Sequence, residues 1–286
     1  MRIGGIPKNY RYKMPELPEV ETIKRQLRNE IIGLTIKTIT SDTPKMVKPS
    51  LSFVKQNIRN LEIQRIDRIG KYIIFQLTNN HYVIIHLKLN GRILIRSKKF
   101  PKDDYTHVIL SLSQGMELRL ADSRKFAFIE LCLNHERIDQ LTKQIGPEPY
   151  HLDDKKFYQL IRKSNQKIKQ LLLDQKQIGG IGNIYANDAL WLAKTHPATK
   201  SNLLTLFQAK RLRKALISVM DESLEKGGAS DMWYRHIHGE KGSYQDHFKV
   251  YGQKGKPCLI HKKTLIEYIK IGQRGTFYCP KCQTKS

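Results

Sequence analysis

"CLIHKKTLIEYIKIGQRGTFYCPKC", residues 258–282, carries the sharpest architectural constraint in the chain. Cys258 and His261 are separated by two residues, Cys279 and Cys282 again by two, and seventeen residues lie between the pairs. Two turns that each present two ligands to one side of an ion suit a tetrahedral zinc site. With four protein ligands no position stays open for water, so one structural Zn2+ is expected. The remaining cysteine, Cys132, stands alone in an apolar run, so a disulfide framework is not expected. Thr264 to Tyr268 and Gly275 to Tyr278 read as the two arms of a small β-hairpin. Residues 251–286 hold eight Lys or Arg and a single acid, Glu267. A rigid cationic hairpin is a device for binding phosphate, and Arg274 falls near its turn.

The charge bias extends to the whole chain. Its 286 residues contain 51 Lys and Arg against 26 Asp and Glu, a formal net charge of +25. That exceeds what solubility requires and points to a polyanionic partner, nucleic acid first. No stretch approaches the ~20 apolar residues of a membrane helix, and Met1 to Lys13 lacks the apolar run of a secretory signal. A soluble, intracellular protein of one large or two modest domains is expected.

Upstream of the hairpin, a polar, glycine-rich stretch from Gly227 to Gly242 shows no periodicity. Before it the chain reads helical: FYQLIRK, IKQLLLDQ, NIYANDALWLAK and LFQAKRLRKALISVMDESLEK. In "QIGGIGN", Gly179, Gly180 and Gly182 precede Asn183 and a helix. Such a turn admits a phosphate to the helix N-terminus, with Asn183 as an added donor, or serves as an ordinary helix connection. "IGPEPYHLDD" breaks the pattern as a hinge. From about Ile36 to Leu133 short β-type runs such as YIIFQL, YVIIHLKL, RILIRS and THVILSLS alternate with tight turns at Asn79-Asn80 and Gln114-Gly115, which favours an antiparallel sandwich or barrel. Ahead of them Val20, Ile23, Leu27 and Ile31 mark an amphipathic helix ending near Gly33.

The first turn of that helix is "MPELPEVE". A proline at a chain terminus is a secondary amine, able to attack an electrophilic carbon and form an iminium; Glu16 beside it would serve as acid or base. From the residues alone, a plain turn and helix start is the alternative.

Taken together, "MPELPEVE", "GKYIIF", "DSRKF", "GPEP", "GGIGNIYA" and "GQRGTFYCPKC" resemble the formamidopyrimidine-DNA glycosylases of base-excision repair, from Met14 to the end of the chain. The resemblance implies an α+β multidomain fold. Residues 14–145 would form a β-sandwich with flanking helices, 146–153 a hinge, 154–250 a helix-two-turn-helix domain carrying a lesion-covering loop, and 251–286 a zinc finger, with DNA in the cleft between halves. It implies removal of oxidised purines, 8-oxoguanine and formamidopyrimidines, from double-stranded DNA, followed by β,δ-elimination at the abasic site. It also implies a cytoplasmic monomer.

By motif, Pro15 would be the Schiff-base nucleophile, Glu16 the proton shuttle, and Lys71 a phosphate contact that assists β-elimination. His86, Asn183 and Arg274 would clamp phosphates around the extruded nucleotide, with Arg274 also the δ-elimination donor. Lys169 matches a lysine near the lesion. Arg124 and Phe126 would enter the base stack, with Leu89 where the family usually has methionine. His261 replaces the second of four cysteines, an exchange zinc accepts. The related Nei branch is disfavoured because "PELPEVE" has no glycine after the glutamate. A lesion-binding protein without catalysis is the rival of another class, since Met1 to Lys13, if retained, would hold Pro15 in an amide. The functional chain is therefore expected to begin at Met14, with methionine removal exposing Pro15.

Overall fold

The structure, a computed structural model, describes residues 15–230 and 233–285. They fall into two compact units. One joins the N-terminal part to Lys143 with Lys226–Ser243; the other joins Gln144–Glu225 with Tyr244–Ser286.

The first unit opens with α1 (Leu17–Ile31), which buries Val20, Ile23, Leu27 and Ile31 along one stripe and stops before Gly33. There follow β1 (Ile36–Ser41), β2 (Val47–Lys48), α2 (Leu51–Asn57), β3 (Ile63–Ile69), β4 (Tyr72–Leu77), β5 (Tyr82–His86), β6 (Arg92–Ser97), β7 (Thr106–Leu112), β8 (Met116–Ala121), β9 (Phe128–Cys132) and α3 (Glu136–Gln144). The strands form a four-stranded sheet, β1-β7-β8-β6, and a five-stranded sheet, β2-β9-β5-β4-β3. Left-handed Asn79 and Asn80 close the β4–β5 hairpin, and Gln114 with Gly115 closes β7–β8. Every pairing is antiparallel except the two-residue match of β2 with β9, which is parallel.

Alternation along the strands sends Ile73, Phe75, Val83, Ile85, Ile93, Ile95, Leu118 and Leu120 into one core shared with α1. Each such fully buried side chain contributes about 2 kcal/mol of transfer free energy. The opposite face of the five-stranded sheet presents Ile74, Tyr82 and Ile84 to Ile138 and Leu141 of α3. Sequence periodicity does not mark α2 and α3, because each is short and buries one or two residues. Tyr234 and Ile237 also enter the sandwich core, and Ile95 donates its N–H to the Ile237 carbonyl at 2.8 Å. The loop read from sequence as part of the helical domain therefore packs with the sandwich between Lys226 and Ser243.

The second unit holds α4 (Asp154–Arg162), α5 (Ile168–Leu173), α6 (Asn183–Leu192) and α7 (Leu206–Glu225), then the hairpin β10 (Glu267–Ile271) and β11 (Arg274–Tyr278). Helix α6 is buried almost all round. The proline-rich stretch and the glycine turn meet here: a Cβ on Gly146 would lie 2.3 Å from the Gln177 carbonyl oxygen, and one on Gly179 would lie 2.5 Å from that of Gly146. Gly179 thus serves chain-to-chain packing, the connection reading of that motif.

Candidate active site and metal centre

At the start of α1, the Glu16 N–H donates to Glu19 Oε2 at 2.9 Å, which fixes the peptide joining Pro15 to Glu16. Pro15 is buried and Glu16 is 3% exposed, and a carboxylate there faces the positive end of the helix dipole. The other Glu19 oxygen accepts the Ala229 N–H at 2.8 Å. Gly228, at φ +84, permits this approach, since a Cβ would stand 2.9 Å from Tyr234 Cε1 and 3.0 Å from Glu19 Cγ. Burial and the Glu19 charge raise the Tyr234 phenol well above its ordinary value, so it remains a donor, to the Glu19 carbonyl at 3.4 Å. Further along the loop, Trp233 meets the Tyr105 ring edge-on at 5.6 Å, with the Arg92 guanidinium 5.9 Å from its own ring. The expected start at Met14 concerns residues outside those described.

Lys71 follows Gly70 in the turn that joins β3 to β4, and it is buried. His86 ends β5 opposite Tyr72 and is 7% exposed. Its ring stacks on Phe128 at 5.9 Å and meets Tyr72 edge-on at 4.4 Å. The Lys88 N–H donates to His86 Nδ1 at 2.9 Å, so the ring proton resides on Nε2 and makes that nitrogen a donor. Burial first, then the charges of Lys88, Lys71 and Lys48, push the His86 pKa down to about 3. The Nε2–H is therefore able to donate a hydrogen bond without the ring carrying charge.

This has a consequence for stability. The unfolded ring takes up a proton near pH 6.5 and the folded ring only near pH 3, so the native state loses stability as pH falls through that window. A His86→Gln variant is expected to show a flatter decline of melting temperature from pH 6.5 to pH 4 than the parent, measured by thermal denaturation across that window. Parallel curves would show that the ring is not the source.

Leu89, Arg124 and Phe126 lie on two neighbouring turns. Phe126 is 51% exposed, an unusual position for an aromatic, and Arg124 stands over it with its guanidinium 5.0 Å from the ring centroid. Beneath them Asp122, 1% exposed, accepts the N–H of Arg124 at 2.9 Å on one oxygen and those of Phe126 and Ala127 at 2.8 Å on the other. Asn90 Nδ2 donates to Ser123 Oγ at 3.0 Å and ties the Leu89 turn to this loop.

In the second unit Lys169 is fully buried. Its ammonium donates to the Gly275 carbonyl at 2.7 Å, Thr276 Oγ1 at 2.8 Å and Asn187 Oδ1 at 3.3 Å. Asn183, the first residue of α6, donates to the same Gly275 carbonyl at 3.2 Å. Phe277 N–H completes the seam on Asn187 Oδ1 at 2.8 Å. These bonds dock β11 on α5 and α6 and place Arg274, opposite Ile271, at the exposed end of the hairpin. Asp188, buried beside Asn187, accepts the N–H groups of Lys249, Val250 and Tyr251 at 3.0–3.1 Å and anchors the approach to the hairpin. Burial raises its carboxyl, against the pull of those bonds.

Cys258, His261, Cys279 and Cys282 converge, their ligating atoms all within 4.8 Å of one another. The Cys258 and Cys282 sulfurs stand 3.6 Å apart, and His261 Nδ1 lies 3.0 Å from Cys282 Sγ. Two thiolates at about 2.3 Å from one tetrahedral ion would lie roughly 3.8 Å apart, so the donor set fits such an ion. The thiols form no disulfide. Gln283 braces the cluster, accepting the Cys279 N–H at 3.0 Å and donating to the Thr195 carbonyl at 2.9 Å.

Asp122, Asn187 and Asp188 were not singled out in the sequence. Two left a signal: Asp122 heads "DSRKF", where aspartate before a turn accepts nearby N–H groups, and Asn187 lies one helical turn after Asn183 on the same face.

A sandwich beginning on Pro15-Glu16, a helix-two-turn-helix unit and a Cys3His hairpin define the architecture of a class of DNA glycosylases. Residues 14–129 match the formamidopyrimidine-DNA glycosylase N-terminal domain, and residues 145–233 match the formamidopyrimidine-DNA glycosylase H2TH domain. The formamidopyrimidine-DNA glycosylase of Herpetosiphon aurantiacus is 39% identical over 276 residues, covering 94% of this chain and 100% of that protein. A Lactococcus lactis Fpg variant solved with Fapy-dG-containing DNA superimposes with a TM-score of 0.88 at 36% identity, over 95% of this chain and 100% of that one. Lactococcus lactis Fpg solved with abasic-site DNA gives 0.86 at 35% identity, over 94% and 100% of the two chains. The chain belongs to the formamidopyrimidine-DNA glycosylase family.

Proposed function

We propose that this chain is a bifunctional glycosylase and abasic-site lyase that excises oxidised purines from duplex DNA. The observation that carries the reading is the Pro15-Glu16 pair, held at the head of α1 by the Glu19 carboxylate. As a terminal secondary amine, the Pro15 nitrogen attacks C1′ of the damaged nucleotide; the C1′–base bond breaks and the base leaves with the bonding electrons and a proton. Glu16 supplies and recovers protons as the sugar ring opens to an iminium. Loss of a proton from C2′ then expels the 3′-phosphate, and a second elimination expels the 5′-phosphate.

Lys71 and neutral His86 serve as phosphate partners in the first unit, with Asn183 and Arg274 in the second. A neutral imidazole donor contributes a hydrogen bond that does not vary with pH above about 5. Lys169, near the lesion in this reading, also positions Arg274 through the bonds of its ammonium to Gly275, Thr276 and Asn187. Cys258, His261, Cys279 and Cys282 hold a structural Zn2+, which supplies rigidity to the hairpin and no chemistry. Leu89, Arg124 and Phe126 fill the space left when the nucleotide leaves the stack, which offsets part of the few kcal/mol that extrusion costs.

The test is a duplex carrying 8-oxoguanine opposite cytosine. Release of the base, a borohydride-trapped protein–DNA adduct and a one-nucleotide gap with phosphate on both ends are expected. Binding without any of these products would make the chain a lesion-binding protein. Phe126→Ala is expected to slow excision of the paired lesion about tenfold or more, comparable to losing one stacking contact, while an abasic strand is cleaved at nearly the parent rate. Equal losses on the two substrates would remove Phe126 from the wedge.

A further inference from the structure

We infer that Asp122 is the positioning residue that holds the strand-penetrating side chains in a raised, preset conformation; this rests on the proposed reading of Arg124 and Phe126. The loop needs such a device for two reasons. An aromatic ring that is 51% exposed gains little from burial, so packing alone does not fix it. The backbone at Lys125 sits at φ 58, a left-handed conformation unfavourable for a lysine, and must be stabilised from outside.

Asp122 meets both needs from beneath. Its two oxygens take the N–H groups of Arg124, Phe126 and Ala127, and its own carbonyl takes the Lys125 N–H at 3.1 Å, so successive peptide planes across the turn are set by one residue. A buried carboxylate is tolerated when several N–H donors converge on it, and bonds to a charged acceptor are roughly twice as strong as neutral ones. The anchor is itself anchored, since the Asp122 N–H donates to the Tyr105 carbonyl at 2.9 Å. The Asn90–Ser123 bond brings the turn bearing Leu89 into the same unit, so the three side chains would enter DNA together. A preset wedge avoids ordering a loop at the moment of base extrusion.

The prediction is specific to substitution chemistry. In Asp122→Asn the amide oxygen can keep the Phe126 and Ala127 donors, but the new NH2 then faces the Arg124 N–H, donor against donor. Asp122→Ala loses all three acceptor contacts. The readout is independent of catalysis: 2-aminopurine placed beside the lesion in duplex DNA brightens when the stack opens. Wild-type protein at saturation is expected to raise the emission, Asp122→Asn to cut that rise about fivefold and Asp122→Ala further, with Asp122→Asn costing far less in an Arg124→Ala/Phe126→Ala background than in the wild type, as for a residue acting through those two side chains.

Asn90→Ala, which leaves the carboxylate in place, is expected to give a smaller loss and guards against a misfolded Asp122 variant. Unchanged emission in Asp122→Asn, or the full fivefold loss repeated in the Arg124→Ala/Phe126→Ala background, overturns the inference; so does an Asn90→Ala variant identical to wild type if Asp122→Asn fails to fold. Opening of the stack without base release in the wild type would instead refute the proposed activity and leave the role of Asp122 standing.

Discussion

A chain whose first residue is Pro15 will form a borohydride-reducible adduct with abasic DNA, and the same chain with the Pro15 nitrogen held in a peptide bond will form none. The amide lone pair is delocalised into the carbonyl and cannot add to C1′, whereas the free secondary amine adds and loses water to give an iminium. The expected difference in trapping rate is a thousandfold or more, about 4 kcal/mol of barrier. Intact mass on each preparation states which form is present, and denaturing gels of the trapped complex read the yield. The peptide between the amine and Glu16 is held by the Glu16 N–H bond to Glu19 Oε2 at 2.9 Å. An adduct formed equally well by the acylated chain would transfer the nucleophile's role to a lysine, with Lys71 the first to test.

Removal of the proposed structural zinc should produce the second largest effect. A two-stranded hairpin is marginal by itself. Here β10 and β11 are held at one end by the Cys3His cluster and along one strand by Lys169, Asn183 and Asn187. Without the ion, or in Cys279→Ser, the cluster loses its centre and the Arg274 end loses its fixed geometry. DNA affinity is expected to fall about a hundredfold at moderate salt, with a shallower dependence of affinity on salt because fewer phosphates are neutralised. Elemental analysis should find one zinc per chain beforehand, and the thermal transition of the sandwich should persist afterwards. Undiminished binding by the metal-free protein would separate the hairpin from DNA recognition.

Much of this molecule was legible in its residues because the signals were periodic or stoichiometric. The 3.6-residue stripe of α1, the two left-handed turns at Asn79-Asn80 and Gln114-Gly115, and the paired two-residue gaps of the metal ligands each follow from local chemistry. Illegible were relations between distant segments. Nothing near Lys169 in sequence says that its ammonium will be directed at Gly275, 106 residues away. Nothing in the polar run after Lys226 says that Tyr234 and Ile237 belong to the sandwich core, since two apolar residues among charged ones have no period. Asp122 was visible as part of a motif, but its role depends on which N–H groups the folded turn aims at it.

The placement of the chain's two tryptophans makes the protein its own optical probe. Trp191 is buried in α6, whereas Trp233 lies partly exposed in the loop, between Tyr105 and the Arg92 guanidinium. Replacing Trp191 with phenylalanine would leave one tryptophan, selectively excited at the red edge of the absorption band, whose emission reports on the loop. Loop movement during a single turnover is then measurable by stopped-flow fluorescence, with no label attached to protein or DNA.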